Sequence, residues 1–491
     1  MPEFDPKHAG LSLPKQFLVT RDHLELGNSW RTEQLAEYYV YSAPGVGVTR
    51  IMSARGTVQC KAIILGWFAY EGTFYPNEAA EEIQIDEPLE DIYPRLTGRF
   101  VMLQQQGGRL LCTTDPGAQL PVVYRAESAE LGSSPTVLEW TGKLALDPSA
   151  AVAFRRADRT VWFPFGATPF AGIERLLPGQ TLELSSGGAQ LADVLIPTVK
   201  PVGVEQMHNM TREFVQALGR EADSMECHLT AGWDSRMVLS ATLQSKSQVN
   251  YVTYLPSGAT ARVDSQVARR IAQRFDLDHR VIPVQSPSPE EIEQWLARTS
   301  HCIRDSVVAL TRTVVNTYSG RYALAGVGGE VGRAFYWSSG DMDRNHLTAE
   351  ELLARLGFEN SERALARADQ WLTRYAGLSR PSILDRAYID VRLGCWAGAA
   401  LGGHPVLKPT LSPFNNHTIY ESMLALPQDY RLSGQFARDF ISCGSSKLAQ
   451  IPVNRPAGLQ RLRNLPRELA RKLPKSTTAL IKNKLLLNST A

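Results

Sequence analysis

Beyond residue 200 the chain alternates short apolar segments with longer stretches of helical period, and this alternation restricts the fold more than any other feature. The segments "ECHLT" (226–230), "YVTYL" (251–255), "HRVIPV" (279–284) and "YALAGV" (322–327) read as short buried strands. Between them, "MTREFVQALGREAD" sets Phe214, Val215 and Leu218 on one helical face, and "DSQVARRIAQRFD" does the same with Val267, Ile271 and Ala272. Strands that alternate with helices build an α/β unit whose parallel sheet is covered on both faces. In such a sheet, ligands collect beyond the carboxyl ends of the strands.

The first two hundred residues have another texture. Short β-branched and aromatic segments ("FVMLQQ", "RLLCTT", "PVVYR", "QTLELS") recur between turns such as "DPGAQLP" and "LPGQ", which predicts a mostly β half. A length of 491 residues exceeds one ordinary core. The expected division is 1–198 and 199–491, with the proline-bearing stretch "LADVLIPTVKPVGVEQM" as the connection. Apolar content of 43% and charged content of 21% describe a soluble globular protein. A net charge of +2 points to neither nucleic acid nor membrane as partner. The longest apolar runs, such as "AIILGWFAY", are too short to span a bilayer. "MPEFDPKHAGLSLPKQ" has neither the basic nor the apolar part of a secretory signal. Six cysteines, at 60, 112, 227, 302, 395 and 443, form no CxxC pair, so a reducing cytoplasm is expected. From Arg455 the tail carries nine Lys or Arg against Glu468 alone, which reads as a solvated surface helix or lid, with contact to membrane, nucleic acid or an acidic partner as the other reading.

One strand end carries chemistry. In "LTAGWDSRM" (229–237), Leu229, Thr230, Ala231, Gly232, Trp233, Asp234, Ser235 and Arg236 lead from a strand into a helix. Gly232 lets backbone approach an anion, and the helix that begins near Trp233 offers unpaired N–H groups and a positive dipole end. Thr230 and Ser235 add hydroxyl donors, and Asp234 can hold a divalent ion that bridges phosphate oxygens. Arg236 opposes the macrodipole unless an anion sits there. These parts make a pyrophosphate cradle. An ordinary turn capped by Asp234 or Ser235 would present the same residues. No GK[ST] follows, so a Walker loop is not indicated.

This segment resembles the SGGxDS loop of the PP-loop ATP pyrophosphatases, with Thr230 for the first Ser and Ala231 for the first Gly. "YVTYLPSGATARVDSQVARRIAQRFDLDHRVIPV" is similar to the next strand and helix of asparagine synthetases, with Asp264, Ala268 and His279 in familiar places. "LAGVGGEVGRAFYW" resembles their glycine-rich second signature, and "LSPFNNHTIYESMLALPQDYR" their later "PFLD … LP" segment. "GRFVMLQQQGGRLLCTTDPGAQLPVVYR" and "PFGATPFAGIERLLPGQTLEL" resemble strands of the family's glutaminase domain. The resemblance spans roughly residues 60 to 460, in the family's order. It implies an N-terminal Ntn-hydrolase-like β-sandwich followed by a PP-loop synthetase domain.

The family's glutaminase needs a cysteine directly after the initiator, and Pro2 stands there. The first cysteine, Cys60, lies in an apolar strand where inert packing is expected. The chain is therefore similar to the glutaminase-deficient β-lactam synthetases and lasso-peptide cyclases, which imply ATP and Mg2+ and an AMP-forming amide synthesis. Glu330 falls where the family places a magnesium-binding acid facing Asp234. A charge at the start of the next helical turn is the alternative for it. Gly326, Gly328 and the strand bearing Thr253 and Tyr254 are expected to line the nucleotide pocket. Val327 stands where relatives carry a proton-handling Glu or Tyr, and valine cannot transfer protons. Tyr336, Arg333 and His301 are the candidates to replace it. The family's late lysine has Lys447 and Arg455 as counterparts, with Arg455 preferred because guanidinium binds phosphate bidentately. The expected partners are a small-molecule or peptide carboxylate and an amine, and a homodimer is compatible with them. The rivals are ammonia-dependent amidation of an acidic sugar or amino acid, and a nucleotide-binding pseudoenzyme that scaffolds partners.

Overall fold

The computed structural model describes residues 13–453 apart from 54–59, 77–80, 193–196, 257–258 and 305. Two sheets make up the N-terminal half. One is antiparallel and runs in space through Ile173–Arg175, Val123–Arg125, Glu130–Gly132, Phe17–Thr20, Tyr38–Ser42 and Arg31–Leu35. The other runs through Gly188–Ala192, Thr181–Ser185, Arg109–Thr114, Thr97–Gln106, Cys60–Tyr70, Val48–Met52 and Glu81–Gln84. Its last two strands pair in parallel. Phe17, Val19, Tyr38 and Val40 of the first sheet share a core with Ile63, Leu65, Val101 and Leu103 of the second, so the sheets form a sandwich. Outward residues are buried as well. Leu18 and Tyr41 pack with Val137 and Leu138, and Ile64 and Phe100 pack with Leu89 and Ile92. Burial on both faces explains why these strands show no clean polar alternation in sequence.

The C-terminal half holds a five-stranded sheet, parallel at every pairing: His279–Pro283, Gln248–Leu255, Ser224–His228, Tyr322–Leu324 and Thr410–Leu411. All four segments singled out as buried strands contribute to it, but His279–Pro283 is an edge strand and none of its residues is fully buried. The helices Val204–Glu221 and Ala259–Phe275 take the places their periodicity predicted, with Phe214, Val215, Leu218, Val267 and Ile271 buried. From Ser224–His228 the chain builds outward twice to one side, then crosses to Tyr322–Leu324 on the other. That reversal is a topological switch point, where loops leaving the two central strands diverge and leave a crevice.

The halves are closely joined. Val161–Trp162 pairs antiparallel with Ile303–Arg304. Asn415 Nδ2 donates to the carbonyl of Gly98 and to Asp115 Oδ1, and Asn416 Nδ2 donates to the carbonyls of Pro94 and Leu96. The "SPFNN" segment is thus a junction between the halves. A helix running from Arg380–Ala387 to Gly398–Gly402 widens to π geometry over Tyr388–Ala397. No helix among the described residues is long and apolar enough to cross a membrane.

Candidate functional site

The loop 229–232 leaves the strand Ser224–His228 at the switch point and enters the helix Trp233–Thr242. Neighbouring strands and helices hold its backbone. Leu229 N–H donates to Val252 O, Thr253 Oγ1 donates to Leu229 O at 2.6 Å, and Ala231 N–H donates to Asp264 Oδ1 at 2.9 Å. The loop also closes on itself. Ser235 Oγ lies 3.1 Å from Thr230 N and 2.9 Å from Thr230 Oγ1, which in turn accepts from Gly232 N–H. The helix starts from Gly232, in extended backbone, and no side chain caps it. Neither Asp234 nor Ser235 serves as the cap, which sets aside the ordinary capped turn and leaves the first-turn amides open to an anion.

Across the switch point, the turn after Tyr322–Leu324 presses against this helix. A Cβ on Gly326 would lie 2.6 Å from the Asp234 carbonyl carbon, and one on Gly329 would lie 2.9 Å from Asp234 Oδ1. Gly328, at φ +93°, would place a Cβ 2.3 Å from the Tyr420 hydroxyl. Gly326 and Gly328 are therefore contact points between packed elements. Their side-chain positions face Asp234 and Tyr420.

This approach brings two acids together. Burial and the negative charge of Glu330 push the Asp234 carboxyl up to about 7, against the opposing pull of Arg333. Asp234 Oδ2 accepts from Arg333 at 2.6 Å, whereas Oδ1 is buried and has no hydrogen-bond partner. Glu330 Oε2 accepts from the Tyr388 hydroxyl at 2.7 Å. Tyr388 comes from the π-widened helix and carried no signal in the sequence. Beneath the acidic turn, Arg431 donates to Val331 O and to both oxygens of buried Asp385, fixing the backbone next to Glu330. An unpartnered carboxylate oxygen beside a second acid suits a hard cation. Among the described residues no cluster of three or more ligating side chains forms. Two carboxylates completed by water and phosphate oxygens are the usual pattern for Mg2+.

Several expected residues lie elsewhere or act differently. Arg236 is fully buried, and it donates to the carbonyls of Ala231, Ile451 and Pro452. Its guanidinium straps the chain after the last described helix to the loop instead of meeting an anion, and those carbonyls, not a bound anion, offset its position in the first turn. The Trp233 indole packs on Gly434 and Arg438, leaving only its backbone to the loop. Tyr254 donates to Glu226, away from the loop. Arg333 cannot handle a proton. Burial would lower its pKa, but Asp234 and Glu330 outweigh that and keep it charged. Tyr336 packs on Phe335 and Tyr388, and burial raises its hydroxyl pKa, so it stays protonated. His301 lies in the turn after Pro289–Arg298, beside the Ser300 contact with Thr136. Lys447 is exposed on the four-residue helix Ser446–Ala449, and no contact with the loop is seen among the described residues. Arg455 and the basic tail lie outside the described residues. Cys60 is half-buried with its thiol pKa raised by burial, as inert packing requires.

No protein-family model and no curated protein matches the chain. Solved structures give distant likenesses. NMN synthetase from Francisella tularensis is 13% identical over 36% of this chain and 95% of its own, with a TM-score of 0.22. The NH3-dependent NAD synthetase from Campylobacter jejuni is 15% identical over 59% of this chain and 95% of its own, at 0.19. The glutamine-dependent NAD+ synthetase from Acinetobacter baumannii, solved with adenosine diphosphate, is 10% identical at 0.18, and this chain spans 41% of its length. At these scores the functional reading rests on the geometry of this chain alone.

Proposed function

We propose that the chain is an ATP-dependent, AMP-forming amide synthetase whose N-terminal half is a glutaminase-type domain without glutaminase activity. The observation that carries this reading is the uncapped helix Trp233–Thr242, which opens at the switch point beside Asp234 and Glu330. The amides at its start hold the β- and γ-phosphates. Asp234 and Glu330 are the residues that would hold Mg2+, which supplies charge neutralisation on the phosphates when bound. A substrate carboxylate oxygen attacks the α-phosphorus, the α–β phosphoanhydride breaks, and pyrophosphate leaves. An amine nitrogen then attacks the acyl carbon, the acyl–phosphate bond breaks, and AMP leaves with the electron pair. Val327 offers no proton acceptor, so the amine must arrive neutral or lose its proton to solvent or to a phosphate oxygen. The amine belongs to the same molecule, to a second substrate or to ammonia.

Pyrophosphate–ATP exchange with a panel of carboxylic acids tests the reading. Exchange that requires both an acid and Mg2+, and that Asp234→Ala abolishes, supports it. Failure of the purified chain to bind ATP in the presence of Mg2+ sinks it. Val327 favours a second reading, a nucleotide-binding scaffold. ATP binding with no exchange for any acid, together with co-elution of a purified partner, would select that one.

A further inference from the structure

The glycine-rich turn has two sides. Gly326 and Gly329 touch Asp234, while Ala325 and Val327 line a cavity of about 180 Å3 at the same edge of the parallel sheet. Leu310, Val314 and Trp396 give this cavity mostly apolar walls. A pocket of roughly 150 Å3 lined by apolar side chains is enough for one benzene-sized ring. Its polar residues are mainly basic. Lys15 reaches it from the N-terminal half, and His404 and His228 also line it. His228 has its own acid, Glu226, at 3.3 Å.

Lys15 is the anomaly. It is buried, stands just before the strand Phe17–Thr20, and takes φ +62°, a conformation costly for a residue with a Cβ. Among the described residues its ammonium makes no ion pair. Burial pushes its pKa well down, and the positive charges of buried Arg99 and Arg298 add to that. Buried Arg175 lines the small space behind it, with Nη1 lacking any partner. His404 Nδ1 is also buried without a partner, and burial with Lys15 and Arg298 nearby pushes that ring down to about 3. A buried ammonium with no ion pair, next to a buried imidazole nitrogen with no partner on the wall of the same cavity, is costly unless an anion joins them.

We propose that this cavity is the subsite for the body of the substrate, and that it takes a compact apolar molecule with an anionic group, a carboxylate or phosphate, seated on Lys15. The assignment deepens the proposed function, because Val327 stands between the subsite and the phosphate loop. It makes the substrate a bifunctional molecule, with one end to be condensed at the loop and an anion at the other. Replacing a proton-handling residue by Val327 then has a physical purpose: valine completes an apolar wall.

The test uses the full chain with two probes of one shape, 3-phenylpropionate and 3-phenylpropanamide, and reads binding by calorimetry. The carboxylate is expected to bind about tenfold to a hundredfold tighter than the amide, the worth of one buried charge-assisted contact. Lys15→Met should reduce the carboxylate to the level of the amide and leave ATP binding unchanged. Val314→Trp, which fills the cavity and spares Lys15, should abolish binding of both probes. Equal binding of the two probes, binding of neither, or carboxylate binding that survives both substitutions overturns the proposal. If the probe binds through Lys15 but ATP does not bind, the synthetase reading fails and the anion subsite stands. If ATP binds and exchange proceeds while the probes fail, only the subsite falls.

Discussion

Asp234→Asn should make the protein more stable and disable it, and the balance between the two depends on pH. The substitution keeps the shape of the side chain and its contact with Arg333, and removes only the charge. In the folded chain the carboxyl is raised from 3.8 to about 7, chiefly by burial and by Glu330. One pKa unit corresponds to ~1.4 kcal/mol, so keeping Asp234 ionised costs the fold on the order of 4 kcal/mol. The native state therefore holds a proton that the unfolded chain releases near pH 4. As pH rises from about 4 to 7 the wild type loses stability, and above about 7 the loss is constant. Asparagine carries no such penalty. The variant should match the wild type near pH 4 to 5 and melt several degrees higher at pH 8, while Mg2+-dependent ATP binding is lost at every pH. Thermal melts across that range, paired with nucleotide titrations, read both effects. A variant destabilised equally at pH 5 and pH 8 would show that Asp234 is a structural ion-pair partner of Arg333, and the assignment of a strained carboxylate awaiting a cation would be wrong.

Three further outcomes follow from the same geometry. Because Asp234 must be ionised to hold a cation, ATP·Mg2+ affinity should weaken as pH falls below about 7, with proton release on binding at pH 7; calorimetry in two buffers of different ionisation enthalpy measures this, and proton uptake would contradict it. Gly326→Ala forces a Cβ to within 2.8 Å of the Asp234 backbone and side chain, and should cost about 1–3 kcal/mol of overpacking and remove nucleotide binding; unchanged melting and ATP affinity would show that the loops are not so tightly opposed. Arg236→Met deprives the carbonyls of Ala231, Ile451 and Pro452 of their donor, a loss on the order of several kcal/mol at ~1–3 kcal/mol for each buried group. Limited proteolysis should then cut near 451–452 far faster than in the wild type.

The alternation of strand and helix made the parallel sheet legible, because strands buried on both faces and helices with one apolar face leave different local patterns. The order of the strands was not legible. It depends on where the crossover from His279–Pro283 returns to the sheet, and it returns beside Ser224–His228 through Tyr322–Leu324. That one long-range pairing places residues 229–235 opposite 326–330, and no local propensity encodes it. The sandwich was legible as β structure from its turns. Its double burial, Leu18 and Tyr41 against Val137 on one side and Ile64 against Leu89 on the other, comes from layers far apart in sequence.

Within the site, residues whose placement follows from backbone geometry lie where the sequence put them, and those whose long side chains choose a direction do not. The uncapped helix start and the acid pair follow from residues whose reach is short. Arg236 has a long side chain in a first turn that seemed to invite an anion, yet three orphan carbonyls inside the fold offered better-matched acceptors, and burial made that choice decisive. Arg333 shows the converse. Its sequence position suggested a proton carrier, but two partly buried acids need a fixed positive charge when no metal is bound, and a guanidinium is the group least able to surrender one. Asp234 thus gives one oxygen to Arg333 and leaves the other without a partner. Any cation that enters must compete with Arg333 for the same carboxylate, so Arg333→Met should strengthen Mg2+ binding in the absence of nucleotide. It should also destabilise the metal-free fold, most at high pH, where both acids are charged. If Mg2+ affinity instead falls with that substitution, Arg333 orders the acid pair for the cation and does not hold its place.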